Sequence, residues 1–367
     1  MFYQCLKCKK VWQYPIEKCP ECFLKLERLS SEKIKVIGVS KVNISTIFHQ
    51  KVPYFVLLLE DEKGNKWVQK SIKEYKISEE WTPLDNKHLM GQDKNLPRTE
   101  LALVRGAVAL WRIKYDILEA IENVVELLGG LTPHQKSWWG AKILILPTLI
   151  SPKHPYFAEN TTPQFLESLI KYLLKIGAEA KNIKVAGQSF NEVPIELVVQ
   201  KSQILKVCQD YKILPLDLAK TGFIKKDGLE ISEEAFNADL IINLPIIKLD
   251  SNLGVRGAAE NALKFLRKES YLSLQRLPNP EETMGKLQKI LPGHLTIAEG
   301  NYIQTASGFV AFLGIVLASF NSFNLDRIFA EICEIKPLPE WLKKVKIESI
   351  PIIGREIEEV QLNVEKI

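Results

Sequence analysis

Four cysteines stand within the first 22 residues of this 367-residue chain, as two Cys-x-x-Cys pairs separated by a ten-residue spacer: Cys5/Cys8 and Cys19/Cys22. Each pair can form a knuckle that aims two thiolates at one point, and two knuckles close a tetrahedral four-sulfur shell around zinc. Cys19-Pro20-Glu21-Cys22 is a typical knuckle sequence, and Lys7, Lys9, Lys10 and Lys18 offset the anionic sulfurs. A closed shell leaves no coordination position for a substrate, so the metal is expected to build the fold and not to perform chemistry. Disulfides are the competing use of such cysteines. They are disfavoured because no secretory segment precedes Met1-Phe2-Tyr3 and the other two cysteines, Cys208 and Cys333, are isolated.

A second set of polar residues follows apolar strands in the later part of the chain. Lys248 and Asp250 come just after Ala238–Pro245 (ADLIINLP), where a functional side chain would reach a crevice; a salt bridge or simple solvation is the alternative. Gly254-Val-Arg256-Gly257-Ala-Ala-Glu260-Asn261 reads as a loop opening a helix. Its free amides, with Arg256, Gly257 and Asn261, can hold a phosphate or carboxylate; a ligand-free helix start is the alternative. Thr148 lies in a third such segment, Pro147–Ser151, and is a candidate for the same ligand. Of the five histidines, none has the spacing of a second metal site, and His154, in a loop after a strand, is the best placed for acid–base work. Glu299-Gly300-Asn301 can face the same crevice but reads better as a turn. The chain contains no G-x-S-x-G elbow, Walker loop or G-x-G-x-x-G fingerprint, which argues against the common hydrolase, P-loop ATPase and Rossmann dehydrogenase readings.

The elements that must position these residues change character along the chain. Residues 1–30 are the metal ribbon. Residues 31–77 read as β: a long or bent strand with Gly38 as a bulge, a strand over Val52–Glu60, a turn at Asp61–Asn65 and a strand over Lys66–Ile72. A ribbon leading into a small antiparallel barrel is an OB-like arrangement. Residues 78–100 are polar, carry two prolines and read as a linker. Residues 101–335 alternate helix and strand: helices over Ile113–Leu128, from Pro163 to Gly177 with Thr162 as cap, over about Pro194–Tyr211 and over Phe323–Ile332; strands over Lys142–Leu146, Ile183–Ala186, Ala238–Pro245, Leu295–Ala298 and Phe309–Ser319. That alternation predicts an α/β domain with a mostly parallel sheet and helices on both faces. Residues 336–367 form a helix/strand extension. Ligands in such sheets bind beyond the carboxyl ends of strands, which selects Pro147–Ser151, Gly187–Asn191 and Lys248–Asn261.

Hydrophobic residues make up 46% and charged residues 25%, as expected for a globular multi-domain protein. The net charge is +5, and residues 1–95 hold all of the excess, 17 Lys/Arg against 12 Asp/Glu. A basic front module suits an anionic partner: nucleic acid, coenzyme A phosphates or an acidic protein. Free cysteines without a targeting segment predict a cytoplasmic location, with no membrane association. Abundant Lys and Ile with scarce Met hint at a heat-adapted source.

Residues 1–75 resemble the rubredoxin-like zinc-ribbon/OB proteins associated with acyl-CoA enzymes. The likeness rests on Cys-Leu-Lys-Cys, Tyr14-Pro15, Cys-Pro-Glu-Cys, Gly38 before a strand, and Pro53-Tyr54 leading into Val56–Glu60. It implies a structural zinc and work beside a thiolase or hydroxymethylglutaryl-CoA synthase, with coenzyme A thioesters as possible ligands. The helical segment that usually precedes the ribbon is missing. Residues 113–333 resemble the domain of unknown function numbered 362. Matching pieces are Ile143–Ile145 with Pro147, Thr161-Thr162-Pro163, Ala238–Pro245 with Lys248, Asn261, and Ala318-Ser319 with Asp326. Some members carry iron–sulfur modules, but this chain lacks the cysteine run and no cluster is expected. Several polar positions differ: Leu146 and Thr148 stand where a lysine and an asparagine are usual, Lys248-Leu249-Asp250 where Lys-Thr-His is common, Glu260 where a lysine precedes the asparagine, and Asn321 where an aspartate is frequent. These replacements imply either another substrate or lost catalysis. The expectation is therefore an accessory zinc protein, leaning away from an enzyme, whose α/β domain binds a small anionic ligand or a partner. A catalytic domain acting on a carboxylate or thioester is the alternative. The third reading is single-strand nucleic-acid binding through Trp12, Tyr14, Tyr54, Phe55 and Trp67, which the family resemblance disfavours.

Overall fold

A computed structural model describes residues 2–12, 18–29, 33–43, 54–71, 74–81, 106–114, 116–131, 140–189, 193–251, 253–275 and 280–361. The chain divides into two compact units, 1–95 and 96–367.

The first unit contains two small antiparallel sheets. In one, β1 (Phe2–Gln4) lies between β2 (Val11–Trp12) and β3 (Glu27–Leu29). Its buried core is Cys5, Cys19 and Leu26, edged by Tyr3, Trp12 and the other two paired cysteines. So small an apolar cluster cannot hold a sheet together unaided, and the sulfurs occupy its centre. In the other sheet, β4 (Ile34–Val42), β5 (Tyr54–Asp61) and β6 (Lys66–Ser71) form a meander. Period-two alternation turns Ile34, Val36, Phe55, Leu57, Leu59 and Trp67 to one core. The register slips between Val36 and Gly38, so the expected bulge is present. A Cβ at Gly38 would stand 3.3 Å from Leu58 Cβ. The Asp61–Asn65 turn is held by the Asp61 carboxylate, which accepts from the backbone N–H of Lys63 and of Asn65, with Gly64 at φ 78°.

Two expectations for this unit change. Residues 78–81 are not linker. Ser78 N–H donates to Val36 O and Trp81 N–H to Ile34 O, and the Trp81 ring meets Trp67 edge-on at 6.3 Å. Those residues extend the β4 edge, while 82–100 lie outside the described residues. Phe55 and Trp67 are core residues, less than a tenth exposed, and so are not presented for base stacking. Among the described residues this sheet has three strands and does not close into a barrel.

The second unit is built on one mixed, mostly parallel sheet. Its strands are β7 (Val108–Arg112), β8 (Ile143–Pro147), β9 (Ile183–Gly187), β10 (Pro215–Asp217), β13 (Leu240–Leu244), β16 (His294–Gln304), β17 (Val310–Ser319) and β18 (Ile352–Gly354), in the order β10-β9-β8-β13-β16-β17-β7-β18. Between β10 and β13, the short strands β11 (Phe223–Lys226) and β12 (Leu229–Ser232) make a separate hairpin. Strands β14 (Ile246–Asp250) and β15 (Gly254–Arg256) form a second hairpin, of which β14 pairs with β16. β8 and β13 are buried along their whole length and apolar apart from Asn243, as central parallel strands require.

The helices that matter for the site are α1 (Ile117–Leu127), α2 (Pro163–Lys175), α3 (Ile195–Lys201), α4 (Ile204–Asp210), α5 (Ala258–Asn261), α6 (Glu281–Ile290) and α7 (Ser322–Ile332). α2 starts where expected: Thr162 Oγ1 accepts from Phe165 N–H, and Pro163 fills the first position. Three sequence expectations shift. The helix expected from Ile113 begins at Ile117, because Asp116 caps it and residues 108–112 are strand β7. The helix expected over 194–211 is two, broken at Gln203, whose φ is 64°. Glu299-Gly300-Asn301 is no turn but part of β16, which shifts register past Gly300. In the extension, β18 pairs parallel with β7 and joins the main sheet.

Candidate functional site

In the first unit, Cys5 and Cys19 begin two knuckles of the same form. Lys9 N–H donates to Cys5 O and Cys5 N–H to Lys10 O; Phe23 N–H donates to Cys19 O and Cys19 N–H to Leu24 O. Lys9 and Phe23 both take positive φ, 60° and 56°. The four sulfurs all lie within 4.8 Å of one another, and Cys8 Sγ is 3.7 Å from Cys19 Sγ. Four sulfurs at about 2.3 Å from one zinc stand about 3.8 Å apart, so the set fits a tetrahedral metal. Cys5, Cys8, Cys19 and Cys22 are thus brought together as the sequence predicts, and they can hold a metal ion.

In the second unit, the chain runs outward from β8 to β9 and β10, then returns to β13 on the other side of β8. This reversal falls at the carboxyl ends of β8 and β13, the usual ligand position in such sheets. A buried polar network fills that place. Thr161 Oγ1 joins the two strand ends, accepting from Thr148 N–H at 2.8 Å and donating to Leu244 O at 2.7 Å. Thr148 Oγ1 donates to Asn261 Oδ1 at 3.0 Å. Asn261 Nδ2 donates to Leu146 O and to Asn243 Oδ1, and Asn243 Nδ2 donates to Ala258 O. Lys264 Nζ donates to Asn261 Oδ1 at 2.7 Å, and Lys248 Nζ to Glu159 O at 3.1 Å. Tyr271 OH donates to Glu260 Oε1 at 3.0 Å.

The electrostatics are unusual for a protein interior. Lys264 is fully buried and Lys248 is 6% exposed. Burial lowers the Lys264 amine to about 7 and the Lys248 amine to about 8. An ammonium has three donors, yet among the described residues each lysine makes one hydrogen bond and no ion pair. Nearby, Gln188 donates through Nε2 to the carbonyls of Lys264 and Leu266, leaving its buried Oε1 without a partner among the described residues.

Residues 143–331, half of the chain, match the family described as Domain of unknown function (DUF362). The chain belongs to the DUF362 family. No curated protein matches it. Among solved structures, the lactate racemase apoprotein from Thermoanaerobacterium thermosaccharolyticum aligns at 15% identity and a TM-score of 0.37, over 71% of this chain and 61% of its own. This chain therefore spans about three fifths of that protein's length.

The three segments selected from the sequence of this DUF362 chain do converge: Thr148 and Asn261 touch, and Gln188 binds the segment that carries Lys264. Asp250 is placed differently. Its carboxylate accepts from Arg256 Nε at 2.7 Å and from Leu253 N–H at 2.8 Å, so Asp250 and Arg256 close the β14–β15 hairpin as an ion pair. His154 stays outside the network. It is exposed; Nδ1 accepts from Tyr156 N–H, and Nε2 lies 3.0 Å from the Gln203 amide nitrogen. His49, His88 and His134 lie outside the described residues. The start of α5 is already occupied by protein: the buried Asp326 carboxylate accepts from Ala258 N–H and Ala259 N–H. Gly257 makes that approach possible, because a Cβ there would fall inside contact distance of Asp326 Oδ1. Gly257→Ala should push Asp326 off both amides and cost the second unit about 2 kcal/mol. Urea unfolding of the variant checks this, and an unchanged midpoint would contradict the packing.

Sequence reasoning missed Lys264, Asn243 and Gln188, and read Glu299 as part of a turn. The signal for Lys264 was present: Ala262-Leu263-Lys264-Phe265-Leu266 sets one charge inside an apolar run. Lys264, one turn after Glu260, sets an amine against Asn261.

Proposed function

We propose that the chain is an accessory zinc protein whose α/β unit binds a small anionic ligand beyond the ends of β8 and β13. Lys248, Lys264, Asn261 and Thr148 hold the ligand. The observation that carries this reading is the pair of buried amines, each with a single hydrogen bond and no paired carboxylate among the described residues. Leaving a buried cation so sparsely bonded is costly, and an anion offsets that cost. The ribbon holds structural zinc, and the first unit works beside a partner of the thiolase or hydroxymethylglutaryl-CoA synthase type. On this reading the ligand is a small acid or coenzyme A thioester shared with such a partner.

A second reading is supported by the lowered amines. An amine that titrates near neutral pH can accept a proton from a substrate, which would make the same site that of an enzyme acting on a carboxylate or thioester. Calorimetric titration of the full chain with small carboxylates, phosphate and coenzyme A tests the binding. An anion should bind the wild type, and Lys264→Met should weaken it about tenfold or more. Failure of every anion to bind removes the binding reading. Thioester turnover that collapses in Lys248→Met would establish the enzyme reading instead.

A further inference from the structure

We propose that Lys248 and Lys264 together form a receptor for one carboxylate group and take up protons as it binds. This rests on the reading of the α/β unit as an anion binder and names the ligand class and its coupling.

Charge bookkeeping around the amines selects a single negative charge. Four ionisable groups surround Lys248: Glu260, Glu159, Arg256 and Asp250. Arg256 and Asp250 cancel as an ion pair at 2.7 Å, and Glu159 is paired with Lys153 at 2.5 Å. Lys264 faces Glu260 and Lys248. Asp326 also faces Glu260, but its two oxygens are turned to the amides of Ala258 and Ala259. The Tyr271 hydroxyl, whose ionisation burial pushes well up, stays neutral and donates to Glu260. When both lysines are protonated, two ammonium groups stand against Glu260 alone, and one further carboxylate balances the site. Its two oxygens suit two ammonium donors, one each.

Proton uptake follows from the same geometry. Without an anion each ammonium repels the other inside a dry network, and burial favours the neutral amines. An anion between them reverses that preference, so ligand and protons bind together. A cavity of about 190 Å³ is lined by Ser189, Asp217, Lys220 and Lys268 among others, and by none of the residues of the network. Ser189 and Lys268 flank the strip that Gln188 stitches to Lys264 and Leu266.

The test is calorimetric titration of the full chain with acetate and with malonate at about pH 8, in buffers of different ionisation enthalpy, with inorganic phosphate as a separate arm. Neither carboxylate titrates near that pH, so buffer-dependent heat reports protons taken up by the protein. Roughly one to two protons should enter per carboxylate, and affinity should fall about tenfold or more between pH 7 and pH 9. Lys264→Met should remove about one proton from the uptake and Lys248→Met about half of one. Carboxylate binding with the same heat in every buffer overturns the coupling and leaves the anion-binding reading standing. Phosphate binding without carboxylate binding overturns the ligand class alone. Absence of binding by all three overturns both.

Discussion

Cys5→Ser should abolish metal binding and unfold the first unit while the second unit remains folded. The sheet β1–β3 has Cys5, Cys19 and Leu26 as its buried core, with the sulfurs within 4.8 Å of one another. Structural zinc contributes about 10–16 kcal/mol to folds of this kind, far more than such a core provides by apolar burial. Loss of one thiolate opens the shell, and water in its place cannot restore the knuckle that Cys5 anchors through Lys9 N–H and Lys10 O. Wild-type protein should carry about one zinc per chain and the variant close to none. Amide exchange should rise throughout β1–β3, while β8 and β13 keep their protection. Cys208→Ser serves as the control, since Cys208 is a buried thiol far from the others in sequence, which burial pushes up to about 12. A Cys5→Ser chain that retains metal and amide protection would show that the four sulfurs do not hold the ribbon together.

The ribbon was legible because its determinants are local. Two knuckles of five or six residues each carry their own turn, and spacing alone reveals them. The strands of both units were legible for a related reason: period-two alternation in β4–β6, an unbroken apolar run in β8 and one broken only by Asn243 in β13 are direct records of burial. The second site was only half legible. Thr148 and Asn261 are 113 residues apart in sequence and meet only because β8 and β13 are neighbours, a pairing no local pattern encodes. The rule that ligands lie beyond strand ends found the segments but not the partners. It could not distinguish Lys248, buried against a backbone carbonyl, from Asp250 two residues on, neutralised by Arg256 across a hairpin. Glu299-Gly300-Asn301 failed for another reason. Glycine beside two polar residues is common turn chemistry, but here Gly300 permits a register shift inside a long strand, and Glu299 is buried because Thr162 meets it from another element.

Glu299 also carries a large expected dependence of stability on pH. Its carboxylate is fully buried and accepts from Thr162 N–H at 2.8 Å and from Thr162 Oγ1 at 2.6 Å. Burial nevertheless pushes the group up to about 7 from its ordinary value of 4.5. The folded state thus keeps the proton after the unfolded chain has released it. Between those two values the folded state binds more protons, so its contribution to stability is present at low pH and is lost as pH rises toward 7. The loss amounts to about 2.5 kcal/mol between pH 5 and pH 8. Asp326, raised to about 7 by burial, acts in the same direction. Lys248 and Lys264 act oppositely at higher pH: their lowered amines release protons before the unfolded chain does, so stability is regained as pH climbs from about 7 for Lys264 and about 8 for Lys248 toward the ordinary lysine range. The second unit should therefore be least stable near neutral to mildly alkaline pH. Glu299→Gln cannot ionise, and urea unfolding of that variant should show the fall between pH 5 and pH 8 reduced by about 2.5 kcal/mol, with the part due to Asp326 remaining. An identical slope in wild type and variant would mean that Glu299 is ionised in the folded protein throughout this range, and that its contact with Thr162 is a charged one.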